Sequence, residues 1–166
     1  MRTVLTDEEE ALARYYSKIQ CENKDKHRVG NDKQDPTRTA EEVAYDGIRC
    51  EMAVHKALGI PFKYELYIGG DKIDLVYQGK NISIKKVGLD GIMKVSKKQH
   101  ENPKKQNYDY IFGLMPTFGN CYELIGYISK EDFMEHCYEH TYHTPTICLS
   151  SVHFKRFKQD RNKNGN

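Results

Sequence analysis

Three polar residues stand at spacings that could bring them together in the fold. Asp74 lies inside the apolar segment KIDLVY, where a buried carboxylate costs free energy unless it has a partner, a metal ion or an exposed strand end. Ser83 and Lys85 occupy alternate positions in NISIKKV, on the face opposite to its isoleucines. A short turn at residues 78–80 would place that face beside Asp74. The three side chains can therefore converge.

Glu51 is a fourth polar group that could join them. It lies in the middle of a predicted helix, next to Met52 and three residues after Ile48. Those two apolar residues face the core at helical spacing, so Glu51 lies at or near the same side. The alternative is an ordinary ion pair with His55 or Lys56 on its own helix.

The elements that must position these residues follow from periodicity. Thr6 with Glu9, and Thr39 with Glu42, form capping-box patterns ahead of helices predicted at about residues 7–21 and 40–58. The sequence from Glu22 to Pro36 is almost without apolar residues and predicts a loop. Alternation predicts strands at about residues 64–68, 73–77, 81–87, 108–115, 121–128 and 146–152, with a short helix from Ser129 to about Cys137.

This order predicts a single α/β domain with a central mixed β-sheet flanked by helices. Residues 1–38 are predicted to form an N-terminal helix and polar loop that stand apart from the main fold. Residues 39–154 are predicted to form the α/β domain, and residues 155–166 a basic disordered tail.

Composition excludes several classes of protein. Of the 166 residues, 38% are apolar, and no apolar run approaches the roughly 18 residues that a membrane helix needs. The N-terminus, MRTVLTDEEE, turns acidic where a signal peptide would be apolar, so we expect a cytoplasmic protein. Five scattered cysteines do not form a disulfide framework and are expected to be reduced.

The net charge of +2 conceals an asymmetry between the two halves of the chain. Residues 80–166 carry 14 Lys and Arg against 9 Asp and Glu, whereas residues 1–79 carry 12 against 15. The second half is the better candidate for a surface that meets a polyanion. A solvated charged surface explains the excess equally well.

Four segments together resemble small phage or bacterial members of the PD-(D/E)XK nuclease superfamily. They are GIRCEMAVHKALGIPF, GGDKIDLVY, NISIKKV and CYELIGYISKEDF, and the similarity spans about residues 39–152. The resemblance implies a restriction-endonuclease-like fold and metal-dependent hydrolysis of nucleic-acid phosphodiester bonds. It further implies nucleic acid, with DNA favoured, as the partner, and a homodimer as an assembly that relatives often form.

The resemblance also implies roles for individual residues. Asp74 matches the first metal-binding aspartate, Lys85 matches the lysine of the second half-motif, and Glu51 matches the glutamate on the helix before the sheet. Asp74 and Glu51 would hold Mg²⁺, for which Mn²⁺ can substitute, while Lys85 would position the attacking water and offset developing charge.

Ser83 departs from the family pattern, because it stands where relatives carry Asp or Glu. A hydroxyl is a poor magnesium ligand beside a carboxylate. Shifting the frame to Lys86 would turn the apolar face of the strand toward the site. Three explanations remain open: the second acid has moved, for example to Asp71 or Glu65; the protein is naturally silent; or a substitution in this chain has inactivated it.

The remaining candidates each have a plain alternative. Lysines that could contact backbone phosphates, or simply form a solvated charged surface, are Lys86, Lys94, Lys97 and Lys98, followed by Lys104 and Lys105. A zinc site could use Cys137, His140, His143 and Cys148, although their spacing fits no usual zinc pattern. The competing function is a catalytically silent module on the same fold that binds nucleic acid or a protein.

Overall fold

The computed structural model describes residues 1–26, 37–65, 73–102 and 106–157. Within them the chain forms eight strands: β1 (Arg2–Val4), β2 (Leu75–Tyr77), β3 (Lys80–Lys86), β4 (Ile92–Ser96), β5 (Tyr110–Pro116), β6 (Cys121–Ser129), β7 (Tyr138–Thr141) and β8 (Pro145–Ser150). The α-helices are α1 (Asp7–Lys26), α2 (Ala40–Ala57), α3 (Lys97–His100) and α4 (Lys130–His136), and a 3₁₀ turn spans Ser151–His153. The chain is therefore a mixed α/β protein, as its sequence predicts.

A five-stranded mixed sheet forms the larger layer, with strand order β1-β6-β5-β3-β2. β3 and β5 run parallel, and the other three pairings are antiparallel. The parallel pair places the ends of β3 and β5 at the same edge of the molecule, where the Val87 N–H donates to the Leu114 carbonyl at 2.8 Å.

α2 packs on one face of this sheet. Thr39 caps the helix by accepting from the Glu42 N–H while the Glu42 side chain returns a bond to the cap backbone, the predicted capping box. Ile48 and Met52 are buried in one cluster with Ile82 and Ile84 of β3. The even-numbered side chains of β3 thus face α2.

The second sheet covers a different part of the core, with strand order β4-β8-β7 and antiparallel pairing. Met93 and Leu149 from this sheet are buried with Ile111 of β5 and Phe133 of α4. α4 begins after Ser129, whose side chain accepts from the Asp132 N–H, at the position that the sequence predicts.

The N-terminal segment differs most from its prediction. β1 pairs with β6, and Leu5 and Ala13 are buried in the α2 cluster, at 2% and 0% exposure. Leu5 and Ala13 can be buried because β6 offers a free edge and α2 a free apolar side. Residues 1–26 are therefore built into the same layers as the residues from Thr39 onward.

Several other elements also differ from the prediction. Three short strands, β1, β4 and β7, each of five residues or fewer, are not predicted from the sequence. Of the strand predicted at residues 64–68, residues 64 and 65 are irregular and the rest lie outside the described residues. In the predicted tail, Lys155 forms a bridge to Tyr127 and Phe157 packs against the core. No helix among the described residues is long and apolar enough to cross a membrane.

Candidate functional site

The β2–β3 hairpin positions the residues that the sequence singles out. Its strands pair Leu75 with Ile82 and Tyr77 with Lys80, which leaves a two-residue turn. Both turn residues have positive φ, 49° at Gln78 and 73° at Gly79. Two positive values define the tight turn whose twist matches paired antiparallel strands. The turn therefore fixes the register that places Asp74 beside Ser83.

Asp74 lies immediately before β2 and turns its carboxylate onto β3. Its Oδ2 accepts from the Ile84 backbone N–H at 2.7 Å and from the Ser83 hydroxyl at 3.3 Å. The strand pairing begins only at Leu75, so the carboxylate satisfies a donor on the edge of β3 that would otherwise lack a strand partner. Asp74 thus caps the hairpin as well as presenting a negative charge.

Ser83 and Lys85 share the face of β3 that points away from α2. Successive side chains of a strand alternate, and Ile82 and Ile84 occupy the opposite face. Lys85 is half-buried and pairs with Gly113 of β5, where a Cβ would stand 2.6 Å from the Phe154 ring. The structure therefore brings Asp74 and Ser83 into contact and places Lys85 on their face, two residues along the strand.

Glu51 lies on α2, which packs against the other face of β3. Burial raises the pKa of Tyr64 to about 12, and the nearby Glu51 carboxylate adds to that rise. Glu51 remains a predicted metal ligand, and Tyr64 is one of its neighbours.

Lys86 belongs to a separate ion-pair network on the α2 face. Its Nζ donates to Asp46 Oδ2 at 2.9 Å, and Arg38 donates to the same oxygen at 3.0 Å. Burial alone would raise the pKa of Asp46, but Lys86 and Arg38 outweigh that effect and hold the pKa below its usual value. This network is not predicted from the sequence, although Asp46 lies on the same side of α2 as buried Cys50, one helical turn later.

The other lysines that could contact phosphates differ in how far they are paired with nearby acidic side chains. Lys94 pairs with Asp90 at 2.9 Å and also lies over the Tyr142 ring. Lys97 pairs with Glu139 at 2.9 Å. Lys98 is exposed and forms no ion pair with any described residue. The positive charge of the first two is therefore partly neutralised before any ligand approaches, while Lys104 and Lys105 lie outside the described residues.

The donor set for a divalent ion is incomplete among the described residues. Oxygen ligands such as the Asp74 carboxylate suit Mg²⁺, but no group of three or more His, Cys, Asp or Glu side chains in the described parts of the chain could hold a metal ion. That finding also overturns the zinc alternative at residues 137–148, where Cys148 is fully buried in β8. Of the two migrated acids considered, Glu65 is exposed in an irregular segment and Asp71 lies outside the described residues.

One carboxylate near the site escaped the sequence analysis. Asp109 precedes β5, and its Oδ2 accepts from the Asn81 backbone N–H at 2.8 Å, two residues before Ser83 along β3. An acidic residue near the start of the strand predicted at residues 108–115 was the available signal. Asp109 therefore caps the start of β3, while Asp74 caps its middle.

Comparison of the chain with family models, with curated proteins and with solved structures gives no match. The class of the protein therefore rests on its mixed α/β architecture and on the chemistry of the hairpin.

Proposed function

We propose that this chain is a nuclease-fold protein that acts on nucleic-acid phosphodiester bonds, DNA in the first place, with metal-dependent activity impaired at Ser83. The observation that carries the proposal is the common face of Asp74, Ser83 and Lys85 on the β2–β3 hairpin. The order of helix, hairpin and parallel β5 is compatible with the restriction-endonuclease-like fold that the four sequence segments suggest.

The proposed roles follow from the chemistry of each side chain. Asp74 and Glu51 would supply oxygen ligands to Mg²⁺, which when bound polarises a phosphate and lowers the pKa of a coordinated water. Lys85, a half-buried ammonium two residues from Ser83, would orient the phosphate and offset its developing negative charge. Ser83 supplies a neutral hydroxyl where a second carboxylate would raise the affinity for the ion.

The test restores the missing charge. Ser83→Asp should give Mg²⁺-dependent cleavage of plasmid or single-stranded DNA at a rate above that of the wild-type chain, whereas Ser83→Asn, which matches its size without the charge, should not. Two neighbouring carboxylates repel each other until a cation neutralises them, so Mg²⁺ should also raise the melting temperature of Ser83→Asp but not of Ser83→Asn. Adding Asp74→Ala to Ser83→Asp should abolish both effects.

A second candidate is a silent nucleic-acid-binding module on the same scaffold. The neutral hydroxyl of Ser83 beside Asp74 favours it, because the hairpin then offers an ion one carboxylate instead of two. In that case Ser83→Asp would bind DNA with an affinity that falls as salt rises, yet would not cleave it in Mg²⁺ or Mn²⁺. Absence of both cleavage and salt-sensitive binding would contradict both functions.

A further inference from the structure

An open cleft of about 650 Å³ lies between the β5–β6 hairpin and the segment that follows β8. Small molecules typically bind in concave sites of about 300–1,000 Å³ that combine apolar lining with a few polar groups. Among the described residues, those that line this cleft belong to β5, β6, the N-terminus and the segment after β8, rather than to the β2–β3 hairpin. The cleft is therefore a second place where a ligand could bind.

Two glycines let the segment after β8 lie against the sheet. Gly113 of β5 pairs with Gly126 of β6. A Cβ at Gly113 would stand 2.6 Å from the Phe154 ring, and a Cβ at Gly126 would stand 2.4 Å from the Lys155 carbonyl oxygen. The Tyr127 N–H donates to that same oxygen at 2.9 Å, so the segment runs alongside β6. One wall of the cleft is thus fixed by the close approach of two backbones.

Part of the lining is apolar and comes from a β-bulge. The pairing of β5 with β6 shifts register between Gly113 and Leu114, which leaves Ile125 of β6 unpaired. Ile125 lines the cleft together with Leu124 and Phe154, which are only 1% and 8% exposed. Contact with these side chains favours a ligand that has an apolar part.

Three polar side chains line the same cleft without a side-chain partner among the described residues. They are the Glu123 carboxylate, the Ser151 hydroxyl and the Arg156 guanidinium. Arg2 lies opposite Glu123 in the β1–β6 register, but no ion pair joins the two side chains. The Met1 ammonium also lines the cleft, and it donates to a backbone carbonyl of β6 at 2.8 Å. One carboxylate and one guanidinium are therefore available to a ligand.

We propose that the cleft binds a free α-amino acid with an apolar side chain. Arg156 receives the carboxylate, because a guanidinium can donate two parallel hydrogen bonds to it. Glu123 receives the ammonium group, and the apolar side chain lies against Ile125 and Phe154. A simple anion would be repelled by Glu123 and a simple cation by Arg156, whereas a ligand that carries both charges satisfies both groups.

NMR titration of the full chain with phenylalanine, up to about 10 mM, tests the proposal. We expect saturable changes in the amide shifts of residues that line the cleft. Glycine lacks the apolar part and should bind about tenfold more weakly or worse. Phenylalanine amide lacks the carboxylate and N-acetylphenylalanine lacks the ammonium group, so each should also bind about tenfold more weakly or worse.

Two variants test the assignment of each charge. Arg156→Gln should abolish the preference for phenylalanine over its amide while keeping the preference over N-acetylphenylalanine, and Glu123→Gln should do the reverse. Each readout compares two ligands on one folded variant, so a general loss of stability cannot imitate it. Lys98→Gln is the matched control, because it removes an exposed charge on α3 outside the cleft and should leave both preferences unchanged.

Absence of shift changes with all of these compounds would overturn the proposal. Equal affinities for phenylalanine and its two blocked analogues would overturn it as well, and so would shift changes confined to residues outside the cleft. None of these measurements depends on nuclease activity or on nucleic-acid binding, so the failure of this proposal and the failure of the proposed function are distinguishable.

Discussion

Two neighbouring lysines on opposite faces of β3 differ in their ion pairing. On the α2 face, Lys86 meets Asp46, which also binds Arg38, and the isoleucines beside it are buried in the core. On the other face, Lys85 forms no ion pair with a described residue, and the nearest partner of Ser83 is Asp74. We call the α2 face, whose lysine is paired, the closed face, and the face of Ser83 and Lys85, whose lysine has no acidic partner among the described residues, the open face.

This difference distinguishes a carboxylate whose charge is used in ion pairs within the fold from one whose charge is available to a ligand. Asp46 is held ionised by Lys86 and Arg38, with Arg49 also within 3.9 Å, so its own negative charge is fully compensated by neighbouring cations. Asp74 is held by a backbone N–H and a hydroxyl, which are neutral donors and leave its negative charge uncompensated. A carboxylate fixed by neutral donors can still attract a cation.

The largest expected effect on stability comes from truncating a buried side chain on the closed face. Ile82→Ala should lower the free energy of unfolding by about 2–5 kcal/mol, because Ile82 is 1% exposed and its loss leaves a cavity between β3 and α2. Urea denaturation followed by circular dichroism measures the change.

Ser83→Ala, on the open face of the same strand, is the matched control. It should cost under about 1 kcal/mol, since it removes only one 3.3 Å hydrogen bond. Equal losses for the two variants would contradict the assignment of the two faces.

Asp74 offers the next largest effect. Asp74→Ala should lower the free energy of unfolding by about 1–3 kcal/mol, because it removes the acceptor of the part-buried Ile84 N–H. Asp74→Asn keeps an oxygen acceptor and should cost less. Hydrogen exchange at the Ile84 amide measures the cap directly, and an amide that exchanges equally slowly in wild type and Asp74→Ala would show that the carboxylate does not protect it.

The sequence predicts the hairpin well because its signals are local. Alternation in KIDLVY and NISIKKV, with Gly79 between them, sets strand, turn and register within a dozen residues. The capping box at Thr39 fixes the start of α2 in the same way. The sequence alone therefore pairs Asp74 with Ser83.

The long-range contacts were not predictable from such signals. β1 pairs with β6 across more than a hundred residues, and β7 is a short strand whose four residues are all exposed. Asp46 and Lys86 are 40 residues apart, and nothing in either local sequence marks them as partners. The side of the sheet on which α2 packs likewise depends on tertiary packing.

The Asp46 network should give a smaller loss with a distinctive pH dependence. Asp46→Asn should lower the free energy of unfolding by about 1–2 kcal/mol at neutral pH, because it leaves Lys86 and Arg38 without their carboxylate. Folding lowers the pKa of Asp46. Its contribution to stability is therefore complete above the pKa of the unfolded state, about 4, and is lost as the pH falls through the lower pKa of the folded state.

The stability difference between wild type and Asp46→Asn should therefore shrink below about pH 4. Chemical denaturation at a series of pH values measures it. A difference that stays constant into strong acid would show that Asp46 acts through packing rather than through charge.

The smallest effect on stability, and the most telling for function, comes from comparing the two lysines. Lys85→Met should change the free energy of unfolding by less than about 0.5 kcal/mol, whereas Lys86→Met removes one of the cations on Asp46 and should cost about 0.2–1 kcal/mol.

If the open face meets a nucleic-acid backbone, as the proposed function requires, Lys85→Met should reduce the slope of log affinity against log salt by about 1. Lys86→Met should change that slope less than Lys85→Met does, because Lys86 is held in an ion pair with Asp46. The reverse pattern in a fluorescence anisotropy titration with labelled DNA would place the ligand on the α2 face and make the pairing of Lys86 with Asp46 a contact that binding has to break.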